Sequence, residues 1–110
     1  MDLELTEEHK IYRDAIRDFA EKEIAPLVEE AEEKESFPQQ LFPKMGALGY
    51  LCVRYPTQYG GAGMDKIAEC IYVEELSRVC AGISAALMVH AGIGTSLILD
   101  NGNEQQKQKY

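Results

Sequence analysis

The first part of the chain carries apolar residues at the spacing of a helix. They recur at intervals of three, four and five residues, at Ile11, Ala15, Ile16, Phe19, Ala20 and Ile24. This spacing places them on one face, which we expect to pack in a core. Thr6 is a favourable N-cap residue and should begin the helix. Pro26 interrupts the hydrogen bonding but not the apolar pattern, which predicts a kink near Ala25 rather than an end.

Two further amphipathic segments follow. Residues 36–38 (Ser-Phe-Pro) start a second helix that should run to about Leu48, where Gly49 ends it. Asp65 is a good N-cap for a third helix. The apolar positions of that third helix are Ile67, Ala68, Ile71, Leu76 and Val79. No segment of the sequence alternates apolar and polar residues for long enough to predict a sheet.

The segment from Ala81 to Leu99 has almost no polar side. It contains no charged residue, and its polar side chains are Ser84, His90, Thr95 and Ser96. Roughly 17 to 25 apolar residues can cross a bilayer, so a membrane span is the competing interpretation. Glycines and alanines dilute the segment, and the amphipathic helices around it offer faces to cover it. We therefore expect a buried central helix of a soluble protein without a membrane partner.

These segments predict an all-α fold, an up-and-down-like bundle of about five to six helices around the buried central helix. With 110 residues, of which 45% are apolar, the chain suits one domain spanning residues 1–110. Residues 103–110 begin a last helix of about two turns, which cannot stabilise itself. We therefore expect the natural protein to continue past Tyr110.

Charge excludes some classes of partner. The formal net charge of -8 argues against nucleic acid and against an anionic membrane, because both attract clustered Lys and Arg. The acidic N-terminus has no export or transit signal, so a cytoplasmic location is expected. Cys52, Cys70 and Cys80 lack metal-ligand spacing and are expected to be reduced and buried.

No complete catalytic set is visible in the sequence. His9 falls in the first turn of a helix expected to be exposed, and His90 is more simply a core histidine. Glu74 and Glu75 are adjacent on a helix, so they point about 100° apart, and we expect one to be exposed and the other to cap a helix or pair with a neighbour. The helical di-iron motif E-x-x-H is absent from the sequence, and we expect no metal site.

Small residues are concentrated in two places. Gly60, Gly61 and Gly63 predict a loop with positive φ or a very close backbone approach, but not a phosphate cradle, since Gly-Lys-Ser/Thr is missing. Along the apolar segment lie Gly82, Ser84, Ala85, Ala86, Ala91, Gly92, Gly94 and Ser96. These either allow close helix packing or leave a slot for a ligand, and the sequence leaves both interpretations open.

Short motifs along the whole chain resemble one family in order and spacing. They occupy residues 5–8 (LTEE), 19–26 (FAEKEIAP), 37–38 (FP), 45–49 (MGALG), 55–56 (YP), 59–65 (YGGAGMD), 74–78 (EELSR) and 101–110 (NGNEQQKQKY). The family is the N-terminal helical domain of the flavin-dependent acyl-CoA dehydrogenases. The resemblance implies oxidation of an acyl-CoA to the trans-2-enoyl-CoA, with FAD accepting the hydride and a glutamate the α-proton.

In that family a middle β-domain and a C-terminal helical domain hold the flavin and the catalytic glutamate. The resemblance therefore implies no catalytic, flavin or metal residue here, and a homo-oligomeric complete enzyme. It does imply an acyl-pocket wall at Ser84, Met88 and Gly92. It also implies a docking patch for electron-transferring flavoprotein at Leu48, Gly49, Tyr50, Ala62, Met64 and Tyr72.

The alternative from another class is a free-standing acidic helical module that binds proteins and carries no flavin chemistry. A reading frame that continues past Tyr110 into a β-rich segment, or a yellow flavin spectrum, would separate the two hypotheses. As an isolated chain, the domain is expected to associate through faces that the other domains would cover.

Overall fold

The computed structural model describes residues 4–110, which form five continuous helices and, in that range, no strand. The N-terminal helix consists of α1 (Glu7–Phe19), a π-helical turn (Ala20–Ile24) and α2 (Ala25–Lys34). Helix α3 (Leu41–Ala47) follows, and a loop with a short 3₁₀ turn (Thr57–Tyr59) leads onwards.

The second half of the chain contains the other three helices. These are α4 (Lys66–Val79), the apolar helix (Ala81–Asn101) and α7 (Glu104–Lys109). The apolar helix consists of α5 (Ala81–Met88), a π-helical turn (Val89–Gly94) and α6 (Thr95–Asn101). The predicted all-helical fold class is confirmed.

Thr6 begins the N-terminal helix, as predicted. Its hydroxyl accepts a hydrogen bond from the backbone N–H of His9 at 3.1 Å. The predicted kink takes the form of the π-helical turn, where the N–H of Ala25 bonds to the carbonyl of Ala20, five residues back. Pro26 follows directly and has no N–H to donate. The wider π-helical turn accommodates the missing hydrogen bond, so the chain remains helical on both sides of the proline.

Two members of the predicted apolar stripe were wrong. The N-terminal helix buries Tyr12, Ile16, Phe19, Ala20 and Ile24, whereas Ile11 is 69% exposed. Ala15 is also exposed. The other four predicted residues are buried, and Tyr12 takes the inward position predicted for Ile11, because it packs edge-on against Tyr50 with ring centroids 6.4 Å apart.

Helix α3 begins later than predicted and ends where predicted. It starts at Leu41 rather than near residue 36, and Pro43 lies in its first turn. Gly49 has φ +76°, which allows the N–H of Tyr50 to bond to the carbonyl of Met45 at 2.9 Å. This hydrogen bond, which closes a turn of six residues, ends the helix and directs the chain into the following loop.

The glycine-rich loop confirms both predictions made for it. Gly60 and Gly63 have φ +85° and +62°, in the left-handed region that glycine adopts without a steric penalty. Gly61 lies against the backbone of Tyr55, where a Cβ atom would come within 2.1 Å of the carbonyl oxygen. The loop is therefore a tight fold of the main chain on itself.

Two side-chain contacts give the relative direction of α1 and α4. His9 Nε2 lies 2.9 Å from a carboxylate oxygen of Asp65, and Arg17 Nε lies 2.9 Å from Glu75 Oε2. Contacts thus advance in the same direction along α1 and α4, so these two helices run parallel. They are the first and third helices of the chain, with α3 between them, so their parallel course agrees with the predicted up-and-down-like order.

The apolar helix is not buried on all sides, and this prediction was wrong. Only 22% of its most apolar window is buried. Its inner side contributes Ile83, Ser84, Leu87 and Ala91, each with at most 5% exposure. Within residues 4–110 this one helix has the length and composition to cross a membrane.

A single cluster of side chains forms the core. It joins the N-terminal helix, α3, the glycine-rich loop, α4 and the inner side of α5. Its largest fully buried members are Tyr72, Ile16, Ile24, Leu41, Met45, Leu76, Leu87 and Val53. The core therefore lies on one side of the apolar helix and leaves the opposite side uncovered.

Candidate functional site

The uncovered side of the apolar helix is a continuous apolar surface. We name it the open face and define it by Ala85, Val89, Ile93 and Leu97, four residues apart and all exposed. The three larger side chains are 53%, 76% and 68% exposed. An apolar row of this length is unusual on a surface that meets only water, so it is a candidate contact surface.

The predicted wall residues form the neighbouring row, one position along the helix. Met88 is half-buried and packs against the core, and Gly92 is half-buried beside it. A Cβ atom on Gly92 would lie 3.7 Å from Met88 Cε, an ordinary contact distance. These two residues therefore lie at the edge of the open face.

Ser84 has a different environment. It is 2% exposed, and its hydroxyl lies 3.0 Å from that of Ser77 on helix α4. In this chain Ser84 joins two helices, and it has almost no surface that a ligand could reach. Its role in the pocket wall stays a prediction.

Sequence reasoning missed Val89 and Ile93 as surface residues. The signal was present as large apolar side chains at intervals of four, at 89, 93 and 97. The expectation of a central helix covered on every side allows no exposed row. No neighbouring amphipathic helix in residues 4–110 covers it.

Five of the six residues predicted to form the docking patch reach the surface, and the docking role itself stays a prediction. Leu48 is 53% exposed, and Gly49, Tyr50, Ala62 and Met64 are half-buried around it. Gly49 lies close to Ala62, since a Cβ on Gly49 would be 3.7 Å from that of Ala62. Tyr72 must be removed from the patch, because it has 0% exposure and lies in the core.

Glu75 is the pairing member of the two adjacent glutamates, as expected for one of them. It is 3% exposed and receives hydrogen bonds from Arg17 Nε and Nη2 at 2.9 Å each. Arg78 Nη1 adds a third bond at 3.2 Å. The hydrogen bonds from Arg17 hold the pKa of Glu75 below its usual range. Glu74 is exposed, so the carboxylates do not share a site.

His9 is buried, which corrects the prediction that it lies in an exposed turn. It is 7% exposed, and its Nδ1 lies 3.4 Å from the backbone N of Thr6. Because Nδ1 accepts from that N–H, the proton is on Nε2 and is donated to Asp65. Asp65 also caps α4, as predicted, by accepting from the N–H of Ala68 at 2.9 Å. His9 thus has a structural role in connecting two helix starts.

The cysteines and carboxylates do not assemble into a reactive centre. In the described part of the chain, no group of three or more His, Cys, Asp or Glu side chains could hold a metal ion. Cys70 is exposed and Cys52 and Cys80 are half-buried, so the prediction that all three are buried was wrong. Burial raises the pKa of the Cys52 thiol, which disfavours the reactive thiolate.

Known proteins share both the sequence and the fold of this chain. The family profile "Acyl-CoA dehydrogenase, N-terminal domain" matches residues 6–110. An acyl-CoA dehydrogenase of Bacillus subtilis (strain 168) is 44% identical over 108 residues, which are 98% of this chain and 28% of the relative. A short-chain specific acyl-CoA dehydrogenase of Clostridium acetobutylicum is 43% identical over 110 residues, 100% of this chain and 29% of the relative.

A solved structure agrees with these sequence matches. A chain in the structure of the electron transferring flavoprotein of Acidaminococcus fermentans superposes with a TM-score of 0.90 at 38% identity, covering 100% of this chain and 29% of that one. This chain spans under a third of the length of the proteins it matches. The resemblance carried by the sequence motifs is confirmed, and the chain belongs to the family of acyl-CoA dehydrogenase N-terminal domains.

Proposed function

We propose that this chain is the N-terminal helical domain of an FAD-dependent acyl-CoA dehydrogenase. The reaction removes a proton from Cα and a hydride from Cβ of an acyl-CoA thioester and leaves a trans-2-enoyl-CoA. The observation that carries this proposal is the family match, which runs over residues 6–110 without interruption. The matched short-chain specific relative supports the same substrate class.

The described residues do not fit a flavin site. The diphosphate of FAD is anionic and binds to backbone N–H groups or basic side chains. Two grooves of about 300 and 230 Å³ share Phe37 in their lining. Glu30 lines the first groove, Glu32 and Glu35 line the second, and Lys34 is the basic residue of the pair of grooves. The flavin and the two transfer steps therefore belong to other parts of the enzyme.

The contribution of this chain is an apolar wall. Val89 and Ile93 of the open face offer hydrocarbon surface, and Met88 and Gly92 form its edge. Each methylene that leaves water against such a wall contributes about 0.8 kcal/mol. Apolar burial without polar partners suits the acyl chain and not the polar CoA portion. We place the acyl chain along this side of the helix.

The first experiment tests the activity itself. The complete protein that carries this domain should purify yellow, and anaerobic addition of a short acyl-CoA should bleach the flavin absorbance. Bleaching reports transfer of two electrons from the substrate to the flavin. A colourless protein that does not oxidise any acyl-CoA would favour the alternative, a free-standing acidic module that binds proteins.

A bulky residue at Gly92 should shorten the preferred acyl chain. In Gly92→Phe the ring would extend past Met88 toward the open face, which is the proposed position of the tail. We expect the ratio of kcat/KM for octanoyl-CoA to that for butyryl-CoA to fall about tenfold or more, since one methylene misfit costs roughly 1–3 kcal/mol. Gly92→Ala is the matched control, because its Cβ fits at 3.7 Å from Met88 Cε. An unchanged ratio in Gly92→Phe would remove this side of the helix from the pocket.

We also propose that Leu48 and its neighbours dock electron-transferring flavoprotein. The matched chain in the structure of the Acidaminococcus fermentans flavoprotein supports a partner of this class. Leu48 is 53% exposed and is the most protruding member of the patch. A single exposed apolar residue is unremarkable, but here Gly49, Tyr50, Ala62 and Met64 extend it into a surface.

Leu48→Asp should slow electron transfer to that partner. We expect about a tenfold loss of flavoprotein reduction, because a charge in an apolar contact must give up its water. Turnover with a small dye should not change, since the dye needs no docking surface. Ile11→Asp is the control, because Ile11 is 69% exposed and is not a member of the patch. Equal loss in both variants, or loss of dye-linked turnover, would argue against a docking role for Leu48.

A further inference from the structure

The π-helical turn of the apolar helix contains the centre of the open face. It spans Val89–Gly94 and therefore includes Val89, Gly92 and Ile93. A π-helical turn holds one more residue than an α-helical turn, so it breaks the regular pattern of main-chain hydrogen bonds. Such a turn persists only if other groups satisfy the carbonyls that it frees.

Two hydroxyl groups approach carbonyls of this turn, those of His90 and Gly92, and the Gly92 carbonyl also accepts from the N–H of Thr95. Thr95 Oγ1 lies 2.6 Å from the carbonyl oxygen of His90, and the Tyr55 hydroxyl lies 3.4 Å from that of Gly92. The two hydroxyl oxygens are 2.9 Å apart. The single proton of Thr95 is donated to His90 or to the Tyr55 hydroxyl, and the proton of Tyr55 is donated to Thr95 or to Gly92. Burial raises the pKa of Tyr55, which keeps that proton in place.

Backbone hydrogen bonds within the glycine-rich loop hold Tyr55 in place. Its N–H donates to the carbonyl of Cys52 at 3.2 Å, and its own carbonyl accepts from the N–H of Gly63 at 2.9 Å. Gly61 lies directly against the same peptide group. The glycine-rich loop therefore fixes the position of the Tyr55 ring, and the ring reaches across to the apolar helix.

The π-helical turn also requires a residue without a side chain at Gly94. A Cβ atom at this position would lie 3.0 Å from the carbonyl oxygen of Val89, closer than side chains normally approach. The turn thus depends on a glycine inside it, on Thr95 at its end and on Tyr55 from the loop. These are three independent features of the sequence that favour one local geometry.

The direction of the open face depends on this turn. Each residue of an α-helix rotates the chain by about 100°, so relaxing the extra residue would rotate the part after the turn by about that angle relative to α5. Leu97, which follows the turn, would then move out of the row that it forms with Ala85 and Val89. The width and depth of any groove beside them would change with the turn.

We propose that Tyr55 and Thr95 are positioning residues for the acyl pocket, which hold the π-helical turn and thereby set the accepted chain length. This inference rests on the proposed function of the open face. Neither hydroxyl needs to touch the substrate, because both act through the main chain of His90 and Gly92.

Four variants of the complete enzyme test the inference. Tyr55→Phe and Thr95→Val each remove a hydroxyl and keep the side-chain shape, whereas Thr95→Ser keeps the hydroxyl. Tyr59→Phe is the matched control, because the Tyr59 hydroxyl is on the same loop but bonds to Glu104 Oε1 at 2.6 Å. The measurements are kcat/KM for butyryl-CoA and octanoyl-CoA, and hydrogen–deuterium exchange of residues 89–96.

In Tyr55→Phe and Thr95→Val we expect the octanoyl to butyryl ratio to shift about three- to tenfold in the same direction, the effect of one hydrogen bond. Exchange in the turn should become faster in both. Thr95→Ser and Tyr59→Phe should stay within about twofold of the original ratio. A purely structural role would lower the rates for both substrates together and leave their ratio unchanged.

The two levels of the hypothesis fail differently. If the original enzyme oxidises acyl-CoA but neither hydroxyl-removing variant changes the ratio, the positioning role is overturned and the proposed function stands. If the original enzyme oxidises no acyl-CoA, the proposed function is overturned, and the role of the turn in chain length is overturned with it.

Discussion

Replacing Gly61 by alanine is expected to lower the free energy of unfolding by about 3 kcal/mol, the upper range for forcing an atom into filled space. The new Cβ would lie 2.1 Å from the carbonyl oxygen of Tyr55 and 2.5 Å from its carbonyl carbon. A peptide group cannot move aside as a flexible side chain can. The loop would have to open, and the support of Tyr55 would be lost with it. Urea unfolding followed by circular dichroism measures the loss.

Gly60→Ala is the matched control in the same loop. Gly60 has φ +85°, but a Cβ there would meet no atom within 4 Å. Gly60→Ala should lower the free energy of unfolding only by the strain of an alanine in the left-handed region of φ, about 1–2 kcal/mol. If Gly61→Ala is no more destabilising than Gly60→Ala, the close approach to Tyr55 does not constrain the fold as we expect.

Glu75→Ala is expected to cost about 2–4 kcal/mol at pH 7, because the carboxylate bonds to two arginines in a buried setting. The variant loses both bonds from Arg17 and the bond from Arg78, and it leaves a gap beside α1. The arginine side chains are 42% and 56% exposed, so water can replace part of what they lose. Glu74→Ala is the control, and its exposed carboxylate should contribute less than about 0.5 kcal/mol.

The effect of Glu75→Ala should depend on pH in one direction. The pKa of Glu75 is lowered by Arg17 from its ordinary 4.5. A carboxylate with a lowered pKa stabilises the fold above that ordinary value, and the contribution is lost as the pH falls through the folded-state pKa. The difference between Glu75→Ala and the original chain should therefore be full at pH 7 and smaller below about pH 4. A difference that stays equal at both values would contradict the role of the charge.

Helix starts could be predicted from sequence because capping is local. Thr6 and Asp65 bond to backbone N–H groups three residues further on, so a short window contains both partners. Gly49 as a helix end and the glycines of the loop are local in the same sense. These features need no knowledge of the rest of the fold.

The errors occur where the outcome depends on distant partners. His9 is buried because Asp65, 56 residues away, lies beside it. Tyr12 rather than Ile11 faces inwards because Tyr50 packs there. Periodicity predicts that a helix has an apolar stripe, but it does not predict which edge of the stripe packs against another helix. The predicted buried residues can therefore be off by one position.

The wall residues show the same difficulty for the candidate site. The sequence cannot tell which of two adjacent rows on the apolar helix is covered, because both contain small and apolar residues. The structure separates them: Ser84 is 2% exposed, whereas Ile93 is 76% exposed. The role of Tyr55 in holding the turn requires a contact across 40 residues of chain, beyond any sequence window.

The parallel course of α1 and α4 has an electrostatic consequence. Each helix start carries a partial positive charge of about half a unit, and parallel helices bring two such ends together. Glu7 and Glu8 lie in the first turn of α1, and Asp65 and Glu69 begin α4. These four carboxylates offset the like-charged dipole ends. Part of the acidity of this chain therefore neutralises its own backbone, and that end of the domain is less negative than its side chains alone suggest.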